Sequence, residues 1–175
     1  MLKAIGFAAA ITLAASAASA ASAQAAKPTD AQIAHIAYTA GVLDVAAGKQ
    51  ALAKSQDKAV RDFAAEMVRD HTAVNDQALA LVKKLGVTPQ DNPTSQGLSR
   101  DAAAKLASDA KLSGKAFDKA YVDNEVAYHK TVNGALSTVL IPDAQNAELK
   151  SLLQTGLKLF TEHQAHAKHL AMSLK

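Results

Sequence analysis

Three histidines stand among apolar neighbours at helical spacing: His71 in "FAAEMVRDHTAVN", His129 in "NEVAYHKTV" and His163 in "LKLFTEHQAHAKHL". Two carboxylates share that setting, Asp44 in "GVLDVAA" and Glu125, one turn before His129. Imidazoles and carboxylates in an apolar interior must be hydrogen-bonded, neutralised or bound to a cation, because a dry, unpaired charge is costly. As ligands, this set suits iron, zinc, manganese or copper(II). As a structural set, the carboxylates would hold the imidazoles and fix the packing register of the elements that carry them. Which chemistry applies depends on whether the fold brings the five together.

Each of the five interrupts an apolar seam. An α-helix advances about 100° per residue, so residues alternating three and four apart share a face. Val60, Ala64, Met67, His71, Val74, Ala78, Leu81 and Leu85 do so, with His71 in the middle. Leu149, Leu153, Gly156, Phe160, His163, Ala167, Leu170 and Leu174 repeat the pattern around His163. Val122, Val126, His129, Val132, Leu136 and Leu140 form a third face, and Glu125 lies on it. Ile33, Ala37, Ala40, Asp44, Ala47 and Ala51 form a fourth, with Gly41 and Gly48 beside it for close approach. His71 and His129 each sit about 14 residues into their helices, so parallel helices would hold them level. His163 is offset from His129 by about 7 Å at 1.5 Å per residue.

His163 also begins a run, "TEHQAHAKHLAM", in which His163, His166, His169 and Met172 recur every third residue. Such a run rotates by about 60° per step, so it winds off the seam and cannot converge on one ion. His166 and His169 are expected at the surface, near the negative end of the helix dipole. Arg61, Asp62, Glu66 and Arg69 fall on an outer face, and Tyr121 and Tyr128 flank their seam as packing residues. There is no glycine-rich phosphate loop and no nucleophile with an attendant base, so an enzyme is not the favoured expectation.

The elements that carry the five can be bounded. Thr29 with Gln32 makes a capping-box pattern for a helix running to about Lys54. Ser55 to Asp57 breaks it and caps a second, Lys58 to Leu85, which Gly86 closes. "VTPQDNPTSQG" reads as a loop, and Ser99 caps a short helix to about Leu112. Ser113-Gly114 precedes a third long helix, Lys115 to Leu140, stopped by Pro142, and Asn146 caps a fourth running to about Met172. Short links make each pair antiparallel, and the long crossover makes the second and third helices parallel. The expected fold is an all-α, ferritin-like four-helix bundle with a short helix in its crossover.

Composition agrees with that plan. Of 175 residues, 49% are hydrophobic but only 4% aromatic, which favours helices packed through small side chains. The formal charge of +3 is scattered, so no nucleic-acid partner is expected. The opening "MLKAIGFAAAITLAASAASAASAQAA" has an early lysine, an apolar run and an A-x-A site at Ala21-Ser22-Ala23. It reads as a signal peptide over 1–23, followed by a tail over 24–29 and one domain over 30–174, with no transmembrane span in the mature form. Zero cysteines exclude disulfides, thiolate metal ligands and a covalently attached c-type haem.

Three segments, "GVLDVAAGKQALAKSQDKAVRDFAAEMVRDHTAVN", "FDKAYVDNEVAYHKTV" and "NAELKSLLQTGLKLFTEHQAHAKHL", resemble the family called domain of unknown function 4142. The resemblance covers about Asp30 to Leu174, and its most telling matches are the "MVRDH" block, His129 and His163. It implies a ferritin-like bundle in an exported bacterial protein, periplasmic or associated with the outer membrane, and implies no activity. The Glu-x-x-His pairs of di-iron bundles are missing: Glu66 is followed at three by Arg69, Glu125 by Tyr128 and Glu162 by Ala165. Iron storage and di-iron oxygen chemistry are therefore not expected. The leading expectation is a non-enzymatic envelope protein, with an envelope protein partner and a structural polar core. The alternative is a metal-binding or redox protein holding one transition-metal ion among Asp44, His71, Glu125, His129 and His163. Mass spectrometry of the exported form is expected to show a chain cut near Ala23; one that retains Met1 would overturn the reading of the leader.

Overall fold

The computed structural model describes residues 27–174; the signal peptide expected over 1–23 lies outside them, as do tail residues 24–26. Helix α1 spans Asp30–Lys54 behind Thr29 and Gln32, which make both halves of the expected capping box. Helix α2 spans Lys58–Leu85. The Asp57 carboxylate accepts from the amides of Ala59 and Val60 at its start, and Gly86, at φ 63°, closes it in the left-handed conformation that glycine adopts without strain.

The crossover departs from expectation. Helix α3 spans Pro93–Asp109, starting well before Ser99 and ending before Leu112. Its cap is Asn92, whose side-chain oxygen accepts from Thr94 and Ser95. Pro93 supplies a preset φ at the first helical position, where no amide is needed. Asn-Pro is thus a start signal here and not part of a loop. Ser99 lies inside the helix, its hydroxyl donating to the Ser95 carbonyl at 2.9 Å.

Helix α4 spans Gly114–Ala135 and continues as a π-helical turn, Leu136–Leu140, into a short helix α5, Ile141–Asp143. Pro142 was expected to stop the helix; instead the wider turn carries the chain past it. A proline ring strikes the carbonyl four residues back in an α-helix, and the π offset relieves that conflict. Helix α6 spans Ala147–Ser173, capped by Asn146.

Contacts between ends fix the topology. The amides of Gln145 and Asn146 donate to the Asp30 carboxylate, and Lys84 pairs with Glu148. The start of α1, the end of α2 and the start of α6 therefore meet at one end. At the other, Lys54 donates to the Ala110 carbonyl and stands over the Phe117 ring, joining the end of α1 to the start of α4. So α1 and α6 run one way, α2 and α4 the other, and the described residues form an all-α bundle. Among them no helix is long and apolar enough to cross a membrane.

The core is divided. One apolar cluster gathers Val60, Phe63, Met67, Phe117, Val122 and Leu170, and the other gathers Ile33, Leu136, Leu140, Leu149, Leu153 and Phe160. A polar layer lies between: Asp44, Glu125, His129 and His163 are 1% exposed and His71 3%. The α6 seam buries all its expected residues from Leu149 to Leu170. The α2 seam shifts by one residue beyond His71, burying Asn75 and leaving Val74 half-buried. The reason is Gly41, where a Cβ would stand 2.2 Å from the Asn75 Oδ1. Asn75 fills the room that the glycine leaves.

Gly48 brings α1 close to α2 in the same way: a Cβ would meet Val68 Cγ2 at 2.9 Å and the Ala64 carbonyl oxygen at 3.0 Å. Gly134 has nothing within 4 Å of such a Cβ. Alanine gains about 1 kcal/mol over glycine in a helix, whereas overpacking costs about 1–3 kcal/mol. Thermal unfolding should therefore find Gly48→Ala less stable than the parent and Gly134→Ala more stable. Equal stabilisation by both would remove the close approach from the account.

Candidate metal-binding site

The middle turns of four helices build the polar layer. α1 supplies Asp44, α2 His71, α4 Glu125 and His129, and α6 His163. Level placement of His71 and His129, expected from parallel helices, is seen: their rings are 5.5 Å apart. The His163 ring lies 5.4 Å from that of His71 and 5.5 Å from that of His129, so the three imidazoles form a near-equilateral group.

Each ring is held by its own support. Phe160 stacks on His71 at 4.5 Å and 12°. His129 Nδ1 donates to the Glu125 carbonyl at 3.0 Å, and a Glu125 carboxyl oxygen lies 3.4 Å from the same nitrogen. A neutral ring held this way presents its Nε2 lone pair to the interior. That atom lies 3.4 Å from His71 Nε2 and 3.6 Å from Asp44 Oδ2, and His71 Nε2 lies 3.4 Å from the same oxygen. Two nitrogens and one oxygen thus form a nearly regular triangle. The point equidistant from them lies about 2.0 Å from each, the length of a zinc–nitrogen or zinc–oxygen bond.

His163 is tied elsewhere. Its Nε2 donates to Asp70 Oδ2 at 3.1 Å, and Arg69 grips the same carboxylate through two bonds of 2.7 and 3.0 Å. One nitrogen from each of His71, His129 and His163 lies within 4.8 Å of the others, and so does one ligand atom from each of Asp44, Glu125 and His129. The five anticipated residues are therefore together, with Glu125 behind His129 and His163 at the margin.

Asp70 was missed in the sequence. It stands two helical turns after buried Phe63, on a stripe beside the α2 seam that faces α6, and that spacing was the available signal. Glu66 was assigned to the outer face but is half-buried, accepting from His166 Nδ1 at 2.8 Å. His166 also sets its ring edge against Phe63 at 5.0 Å, so it does more than meet the helix dipole. His169 and Met172 are exposed, as the winding of the stripe requires.

Polar atoms in this layer lack ordinary partners. Both oxygens of Asp44 and of Glu125, Nδ1 of His71 and Nδ1 of His163 are buried without a hydrogen bond. Burial, with the neighbouring Glu125, drives the Asp44 carboxyl well above the usual carboxylate range. Burial raises Glu125 to about 8 and, with His129 and His163 nearby, lowers His71 to about 3. Burial also lowers His163, opposed by its bond to Asp70. Asp70 ends low: burial pushes it up, but the bonds from Arg69 and His163 prevail. A cation would reverse the cost at Asp44 and use the lone pairs of neutral imidazoles, so the donor set fits a metal ion.

Two cavities reach the layer. One, of about 240 Å³, lies between α1, α3 and α4 and brings Lys105, Asp101 and Asn124 towards Asp44 and Glu125. The other, about 160 Å³ and almost wholly apolar, runs inside the bundle to Asp44, His71 and His129.

Fold and site together define an all-α bundle with a buried imidazole–carboxylate centre between its helices. Residues 15–170 match the family described as Domain of unknown function (DUF4142), and the chain belongs to that family. No curated protein and no solved structure matches it.

The buried groups make the metal-free protein sensitive to pH on both sides. Glu125, raised from 4.5 to about 8, favours folding fully below about pH 4.5 and loses that contribution as pH rises through 8. Asp44, raised for the same cause, adds to this alkaline loss. His71, lowered from 6.5 to about 3, contributes fully above about pH 6.5 and loses that contribution as pH falls through 3. In chelator-treated protein, Glu125→Gln should unfold ~5 °C or more above the parent at pH 8.5 and flatten the alkaline arm. An unchanged alkaline arm in this variant would exclude Glu125 as its source.

Proposed function

We propose that the chain binds one divalent transition-metal ion through Asp44, His71 and His129. The observation that carries this reading is the triangle of 3.4, 3.4 and 3.6 Å among Oδ2 and the two Nε2 atoms. Ligands on a tetrahedral ion stand about 3.3–3.5 Å apart at bond lengths of about 2.0–2.1 Å, whereas adjacent ligands on an octahedral ion stand nearer 3.0 Å. The spacing therefore favours a four-coordinate ion, zinc before iron(II) or manganese, with copper(II) also suited to imidazole.

Glu125 acts behind the ligands. Its backbone carbonyl accepts from His129 Nδ1 and fixes the tautomer that faces inward. Its carboxyl stands 3.4 Å from the same nitrogen, where supporting carboxylates stand at other metal centres. His163 closes the layer towards the surface. The leader expected over 1–23 sets this function in the cell envelope, where a soluble bundle without cysteines would keep or deliver the ion. A structural polar core is the second reading. It draws support from the bonds of His163 to Asp70 and of His129 to Glu125, which need no ion.

Metal analysis separates the two. Protein loaded with zinc and passed through gel filtration should retain one equivalent. Asp44→Ala, His71→Ala and His129→Ala should each lose roughly a hundredfold in affinity, while His169→Ala keeps it. Zinc at about 100 times its Kd should add about 2.7 kcal/mol, which raises Tm by ~5–10 °C in the parent and not in the three variants. Parent protein that retains none of zinc, copper(II), iron(II) or manganese would sink the proposal.

A further inference from the structure

The apolar cavity that ends on the triangle is long and narrow. On α6 its lining runs from Leu149 to Phe160, or ~16 Å along the axis. On α4 it runs from Leu140 to His129, and on α2 from Val82 to His71, over the same length. The cavity thus follows the middle of the bundle from the end where α1 begins to the polar layer. Its volume of about 160 Å³ is close to that of an engineered apolar cavity, ~150 Å³, that stays dry and takes up benzene. That volume suits roughly six carbons without rearrangement, and the length suits a chain better than a ring.

The base of the cavity decides the other end of the occupant. Three protein ligands leave a four-coordinate ion one open position. Two neutral imidazoles and one carboxylate leave a divalent ion with unbalanced positive charge in its own shell, beside apolar walls where charge is costly. An anionic oxygen from outside the chain fills the position and cancels the charge. A neutral water molecule fills only the position, and an ionised one leaves the apolar cavity above it empty.

We infer that the cavity binds a saturated carboxylate of about six to eight carbons, its chain along the bundle axis and its carboxylate on the ion between Asp44, His71 and His129. This rests on the metal-binding reading and names the ligand class of the same site. The chain contributes by leaving water, roughly fourfold in affinity for each methylene buried. The head contributes only when the ion is present, so each half of the ligand can be tested alone.

The test is calorimetric titration of the full chain with octanoate and with acetate, in zinc-loaded and chelator-treated forms. Octanoate should bind the zinc form at least a hundredfold more tightly than acetate does, since its six further methylenes are worth up to about 4,000-fold when all are buried. It should bind the zinc form at least tenfold more tightly than it binds the chelated form. Ala37→Leu and Val132→Phe narrow the cavity from different helices, away from the triangle. Each should cost octanoate tenfold or more while zinc stoichiometry, the check on folding, stays at one. A zinc form that binds octanoate no better than acetate overturns the ligand and leaves the metal site standing; His163 in the fourth position would give that result. Octanoate affinity that ignores zinc overturns the head-group assignment. A chain that takes none of zinc, copper(II), iron(II) or manganese overturns both readings.

Discussion

The organising constraint is the dehydration of Asp44, His71, Glu125, His129 and His163 in one layer. Asp44 faces His71 and His129 across helix interfaces, and His163 is bonded to Asp70 across another, while the apolar clusters on either side offer no polar partner. The four long helices therefore have no freedom to slide: an axial shift of one turn would face an imidazole with leucine and strand a carboxylate. The glycines of α1 serve the same end by bringing α1 close enough to α2 for Asp44 to reach His71. The protein's stability and its candidate chemistry meet in the same few side chains.

Much of this was legible in the residues. The α6 seam follows a strict three-four alternation, and its structure repeats it. Thr29, Asp57, Gly86 and Asn146 each mark a helix end by their own chemistry. All five site residues were visible as polar interruptions, because an ionisable group in the middle of an apolar seam has few innocent explanations. Distances were not legible. A periodicity assigns a face but not a side-chain rotamer, so the triangle of Asp44, His71 and His129 could not be singled out from the other combinations of the five.

The misses share a cause, which is that local signals compete. Asn92-Pro93 reads as a turn until the asparagine is seen as a cap. Pro142 reads as a stop until the turn before it widens. In that π turn, one extra residue shifts the rotational phase of the chain relative to its rise. Leu136 and Leu140 still face inward with His129, as the α-helical seam placed them, and the widened turn keeps that face while the chain passes Pro142. Asp70 was hidden by its neighbours, since Arg69 and the outer charges around it suggest solvent.

His163 spans the wall of the bundle. One ring nitrogen is bonded to Asp70, partly open to solvent and gripped by Arg69, while the other is sealed inside. An imidazole in that position is a conductor one residue long: a proton received on the inner nitrogen is matched by one released from the outer. Binding a cation to protonated carboxyls must expel protons from a dry interior, and hydrogen ions cannot leave through leucine. Between α2 and α6 the wall therefore has an electrical contact where His163 closes it, and charge can be balanced there apart from the polar cavity that reaches Asp44 and Glu125 between α1, α3 and α4.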